Sequence, residues 1–211
     1  MNTLDYITSK YKLDIKGKSP IEIPGIGRND MAVLFKELGF TQGVELGVEK
    51  GLFSEVLCKA NPKAKLYMVD AWKHYRDYRD HVDGKKLEMF YESARERVRH
   101  YDTEIIREYS ADAVEYFKDG QLDFVYVDAN HSLPHLIQDL NVWTPKVRKG
   151  GIIAGHDYKR TNNIQNGVVQ GIAAWTDVYR IHPWFLLGRK HAPEGEFRDK
   201  TRSYMWVKDR F

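Results

Sequence analysis

Gly43-Val44-Glu45-Leu46-Gly47-Val48-Glu49-Lys50-Gly51 is the stretch on which the fold of this chain turns. It reads as the end of a buried strand, a tight glycine turn and the start of a helix. Glycine at such a corner lets the backbone turn sharply and lets a ligand approach the amides closely. Phosphate-binding loops share this geometry, but no G-x-x-x-x-G-K-[ST] is present. The dinucleotide pattern G-x-G-x-x-G also fails, because the glycines at the turn are Gly47 and Gly51 only. An acid, Glu45, stands two residues before the first of them. Taken alone, the loop is equally an ordinary strand-to-helix turn.

A second acid narrows the reading. Lys65-Leu66-Tyr67-Met68-Val69-Asp70 is an apolar run ending in aspartate, about twenty residues past the glycine turn, the offset of a ribose-binding acid. A carboxylate at the tip of a second strand can accept both ribose hydroxyl hydrogens. Asp70 therefore points to a nucleoside ligand without naming it; an aspartate capping the next segment is the alternative.

Composition bounds the class. With 211 residues, 42% of them hydrophobic, the chain suits a single α/β domain with a real core. The charge, 33 basic against 30 acidic side chains for a net +3, is too balanced for a dedicated nucleic-acid binder. One cysteine, Cys58, allows no internal disulfide and fits a reducing compartment. No signal peptide and no membrane-length apolar run are apparent, so a cytoplasmic location is expected.

Residues 1–28 read as a polar leader, with 29–211 as one domain. Asn29 or Asp30 can cap a helix through Leu38, ended by Gly39. Strands are expected near 42–47, 65–70, 104–109, 122–128 and 152–155. Helices are expected over Leu52–Lys59, through Leu87, Phe90, Tyr91, Ala94 and Val98, from Ala111 to Phe117, from Leu133 to Trp143, and through Ile164, Val168, Ile172 and Trp175. Two last strands, Trp184–Leu187 and Ser203–Val207, come with no helix between them. The pattern predicts a mostly parallel α/β sheet with helices on both faces and a terminal antiparallel strand pair.

Ligands in such sheets bind beyond the carboxyl ends of the strands. The tips carry Glu45 and Gly47; Asp70; Ser110, Ala111 and Asp112, which suit an adenine edge; Asp128-Ala129-Asn130-His131; and His156-Asp157-Tyr158. His135 and Asp139, one helical turn apart, read as surface residues.

Val127-Asp128-Ala129-Asn130-His131, then Gln138-Asp139-Leu140, Trp143, Pro145, Gly150-Gly151 and Gly155-His156-Asp157-Tyr158, closely resembles the Methyltransf_24 branch of class I S-adenosylmethionine-dependent methyltransferases. That branch is similar to macrocin-type sugar O-methyltransferases and the cephalosporin hydroxylase family. The resemblance runs from about Gly43 to Val169. It implies a Rossmann-like seven-stranded sheet and S-adenosyl-L-methionine held by Glu45, Gly47, Gly51, Asp70, Ser110, Ala111 and Asp128. In metal-dependent relatives the positions matching Asp128, His156 and Asp157 hold a divalent cation, and that of His131 is the base. His156 departs from the acidic pair usual there, and imidazole suits zinc, iron, nickel or manganese better than magnesium.

A base beside a cation site fits O-methylation of a small-molecule or sugar hydroxyl, since a hydroxyl acceptor must lose its proton. No [DNS]-P-P-[YFW] run follows the fourth strand, so a nucleobase acceptor is disfavoured. A ribose hydroxyl of nucleic acid, or a non-catalytic nucleoside-binding module, are the alternatives. The aromatic and histidine-rich insert 71–84 suits a lid, a sugar-stacking wall or a contact in a homo-oligomer.

Overall fold

The computed structural model describes residues 2–74, 83–159, 166–188 and 201–209. The leader is structured. It folds into helix α1, Thr3–Tyr11, and strand β1, Ile21–Ile23. Leu4, Ile7 and Tyr11 recur at helical spacing and face the core, with Ile7 fully buried. Asn2 caps the helix by accepting from the Asp5 amide at 2.8 Å.

Helix α2, Arg28–Glu37, starts earlier than the expected Asn29 or Asp30 cap. Gly27 takes the cap position, and Asp30 instead reaches back to accept its amide at 2.8 Å. The order then runs β2 Gln42–Leu46, α3 Leu52–Ala60, β3 Lys65–Val69, α4 Gly84–Val98, β4 Thr103–Ile106, α5 Ser110–Ala113 and β5 Leu122–Val127. It closes with α6 Leu133–Trp143, β6 Val147–Gly155, α7 Val168–Val178, β7 Phe185–Leu187 and β8 Tyr204–Val207. β4 stops three residues short of the expected Tyr109, because residues 107–109 have no strand partner beyond the β3 tip. Ile164, expected on the helix before Trp175, lies outside the described residues, as do 75–82 of the insert and 189–200 of the last loop.

All strands join one sheet in the order β1-β7-β8-β6-β5-β2-β3-β4. β8 is antiparallel to both its neighbours, and every other pairing is parallel. The expected antiparallel end is present, and the sheet gains an eighth strand because Ile21–Ile23 pairs with Phe185–Leu187. Helices cover both faces, so all six residues of β5 are buried. Phe124 and Tyr126 face one core with α2 and α3, where Phe124 stacks on Phe35 at 4.2 Å between centroids. Val125 and Val127 face the other core with Leu136, Leu140 and Trp143 of α6. Two closed layers hold the carboxyl ends of β2, β3, β4, β5 and β6 side by side.

Candidate active site

A crevice of about 460 Å³ opens above those strand ends, a volume within the range of small-molecule sites. Glu45, Gly47, Asp70, Ser110, Asp128, His131, His156 and Asp157 all line it. Gly51 and Ala111 do not; Gly51 instead caps α3, and Ala111 lies in the first turn of α5.

The glycine turn is shaped by the chain packed around it. Gly47 has φ +84°, and a Cβ there would lie 2.2 Å from the Asp128 carbonyl oxygen. Gly51 has φ +74°, and a Cβ there would lie 2.8 Å from Ala94 Cα on α4. Glycine at both positions thus permits left-handed backbone and a close approach of neighbouring chain. The first approach locks the β2 turn against the Asp128 loop.

Asp70 organises the same turn. Its Oδ2 accepts the amides of Val48 at 3.0 Å and Glu49 at 2.9 Å, and its Oδ1 that of Trp72 at 2.8 Å. Burial pushes its carboxyl up, opposed by those three bonds. A carboxylate offers about four lone-pair sites, so room remains for one ribose hydroxyl on Oδ1. Trp72, with φ +43°, donates its indole N–H to the Glu49 carbonyl at 2.8 Å and closes the wall.

Glu45 is 1% exposed and accepts from the Ser54 hydroxyl. Desolvation pushes its carboxyl up to about 8, with the Asp128 and Asp70 charges adding to the rise and Ser54 and Arg28 opposing it. Ser110, at the start of α5, gives its hydroxyl to Asp139 Oδ1 at 2.5 Å, and its carbonyl accepts the Trp143 indole N–H at 3.1 Å. Asp139 is therefore not the surface residue expected from the helix pattern. It is 2% exposed, and its buried Oδ2 has no hydrogen-bond partner among the described residues. Burial drives its carboxyl up to about 7.

At the β5 and β6 tips, titratable groups converge. His131 Nε2 lies 3.2 Å from Asp128 Oδ1 and 3.2 Å from Asp157 Oδ2. His156 Nδ1 faces the same two oxygens at 3.8 and 3.4 Å, and its Nε2 meets Thr201 Oγ1 at 3.1 Å. Asp157 is held at φ +55° and also pairs with Lys159 at 3.0 Å. Burial works to lower the His131 imidazole, but the Asp128 hydrogen bond and the Asp157 charge outweigh it and raise it. Burial works to raise the Asp157 carboxyl, and His156, His131 and Lys159 together hold it well below the usual carboxylate range.

Donor atoms of Asp128, His131 and Asp157 all lie within 4.8 Å of one another, and this set fits a divalent cation. Two oxygens and one imidazole nitrogen suit manganese, iron or zinc better than magnesium. His131, expected as the base, stands inside the donor set, and His156, expected as the third ligand, lies outside it.

The sequence does not mark Arg28 and Phe53, which also line the crevice, as does Asn130 at the β5 tip. Asn130 Oδ1 accepts the Ser132 amide at 3.0 Å, while its buried Nδ2 has no partner among the described residues. Nothing local to Arg28 marks it, because Gly25 and Gly27 before it read as leader.

The family described as Methyltransferase domain, Methyltransf_24, matches residues 44–158. No curated protein matches the chain in sequence. Among solved structures, a protein assigned as a caffeoyl-CoA O-methyltransferase from Staphylococcus aureus superposes with TM-score 0.61 at 13% identity, over 97% of this chain and 90% of that one. The O-methyltransferase TomG from Streptomyces achromogenes, in complex with S-adenosylmethionine, gives 0.60 at 16% identity, over 98% and 89%. An O-methyltransferase from Bacillus cereus bound to S-adenosylhomocysteine gives 0.56 at 17% identity, over 98% and 90%.

Proposed function

We propose, since the chain belongs to the Methyltransf_24 family of methyltransferase domains and is therefore an S-adenosylmethionine-dependent methyltransferase, that it methylates a hydroxyl of a small molecule or sugar. The observation carrying the acceptor type is the His131 imidazole, 3.2 Å from each of two carboxylates at the crevice rim. S-adenosylmethionine, when bound, supplies an electrophilic methyl group on a sulfonium.

The residues do the rest. Asp70 and Ser110 hold the nucleoside end through one free lone pair and the start of α5. Positioning lowers the entropic part of the barrier to in-line transfer. The neutral His131 imidazole takes the acceptor proton, and Asp128 and Asp157, each 3.2 Å from its Nε2, stabilise the resulting imidazolium. The three-residue offset from Asp128 places the ring there as the chain enters α6.

A second reading rests on the convergent donor set. Asp128, His131 and Asp157 would hold a divalent cation, which would lower the pKa of a bound hydroxyl. The balanced charge and the absence of a base-amine motif support a small acceptor over nucleic acid.

Turnover across a panel of phenols, sugars and aliphatic alcohols tests the acceptor class. His131→Ala should keep S-adenosylhomocysteine affinity and slow transfer by ~10²–10⁴-fold. Turnover within a few-fold of wild type would remove His131 from the chemistry. Exhaustive chelation with metal analysis separates the two readings: full activity with no metal retained leaves His131 as base, and lost activity restored by manganese or zinc assigns it to the ligand set.

A further inference from the structure

Arg28 lies outside the family-matched segment, yet its side chain reaches into the crevice. It is the one guanidinium among the described residues lining that space. As the first residue of α2 it is fixed by the Gly27–Asp30 cap. Its contacts are sparse: Nη1 stands 3.5 Å from Asp128 Oδ2, and the guanidinium carbon lies 5.2 Å from the Phe53 ring centroid. The first is too long for a strong charge-assisted hydrogen bond. A planar fork of donors therefore sits against Phe53 on one side, with no pairing among the described residues besides the long one to Asp128.

The order of strand tips says what that fork faces. Asp70 and Ser110 mark the nucleoside end, over β3 and β4. β2 and β5 follow in the sheet, carrying Glu45, Gly47 and Asp128. An elongated cofactor with its nucleoside over β3 and β4 brings its amino-acid end to β2 and β5, where Arg28 stands. That end carries a carboxylate. Glu49, Asp70, Asp128 and Asp157 line the same crevice, so an unpaired carboxylate would meet repulsion there.

We propose that Arg28 binds the α-carboxylate of S-adenosylmethionine. It is a positioning residue that fixes the tail of the cofactor and so the placement of the methyl group. Glu45 and Asp128 beside it offer acceptors for the α-ammonium of the same tail. A guanidinium suits this role better than an ammonium, because its fork matches both carboxylate oxygens.

Calorimetry with S-adenosylhomocysteine and its decarboxylated analogue tests this without turnover. The wild type should bind the carboxylated ligand about 10–100-fold more tightly, the range for a charged hydrogen bond. Arg28→Gln should erase that preference while leaving the affinity for the analogue within a few-fold, and Arg28→Lys should restore part of it. The proposal fails if the wild type does not distinguish the two ligands, or if Arg28→Gln keeps the preference. It also fails if the variant weakens both ligands equally, which would mean that Arg28 acts through Asp128 or the fold. Unchanged S-adenosylhomocysteine affinity with a raised acceptor KM would assign Arg28 to an anionic acceptor instead. Absence of S-adenosylhomocysteine binding to the wild type would overturn the cofactor reading itself, and this assignment with it.

Discussion

A methyl group on Gly47 would press on the Asp128 carbonyl at 2.2 Å, and its backbone sits at φ +84°. Gly47→Ala therefore combines left-handed strain with overpacking, and should cost roughly 3 kcal/mol or more. Because the pressed atom belongs to the crevice-lining loop of Asp128 and His131, S-adenosylhomocysteine affinity should fall with the melting temperature; unchanged values of both would show that the loop gives way freely. Asp139 makes the opposite case, a native residue that destabilises at neutral pH. Its carboxyl rises from 3.8 to about 7 in the folded chain. Between those values the folded state keeps a proton that the unfolded state has lost, so stability falls as pH rises through that window. Asp139→Asn mimics the protonated form, keeping a carbonyl oxygen that accepts the Ser110 hydroxyl. It should flatten this dependence and stabilise the protein at pH 8 by roughly 2–4 kcal/mol, read from urea unfolding at pH 5 and pH 8. An equal effect at both pH values would mean that the carboxyl does not titrate there. The burial of Asp139 is not legible in the sequence, because helix periodicity reports only a residue's own face. The partner that buries it, Ser110, comes from another element.

Among the elements, α1 and β1 carry the clearest difference from the sequence reading. Lys10, Lys12, Lys16 and Lys18 with Gly17 dilute the apolar residues of 1–28, and three-residue β1 is too short to show a period. Its signal lies in the partner strand, Phe185–Leu187, far along the chain. β5 and the second half of β6 were legible because burial on both faces makes each a near-continuous apolar run. The polar residues at their ends followed directly, and eight of the predicted site positions share the crevice. What could not be read is who touches whom: Asp70 with three amides, His131 between two carboxylates, and Arg28 over Phe53. Those contacts arise only when distant turns meet. The weight of α1 can be measured. Ile7 is fully buried against the shared core, so Ile7→Ala should lower stability by about 2–5 kcal/mol. A loss under 0.5 kcal/mol would show that α1 is a loose attachment.

For the whole molecule, a ligand that binds only the folded state stabilises it by mass action. S-adenosylhomocysteine at about 100 times its Kd should add about 2.7 kcal/mol, shifting Tm upward by several degrees. NAD at the same concentration should leave Tm unchanged, because the turn lacks the dinucleotide glycine spacing; an equal shift with NAD would sink the cofactor assignment. No helix among the described residues is long and apolar enough to cross a membrane. The edge strand β1 has a further consequence, in time rather than in space. Ile21 pairs with Phe185, so the strand that leads the sequence order waits for nearly the last one before it can dock. Loop closure over such a separation is slow, and contacts of this kind form late. During synthesis the β2–β6 sheet can assemble while β1 is still unpaired. In the finished protein, β1 is held by one neighbour only, so amide hydrogens of Ile21–Ile23 should exchange well before those of β5. Each such opening bares the edge of β7, where a second chain can add a strand. Mild heating that releases β1 should therefore raise light scattering from strand addition between copies.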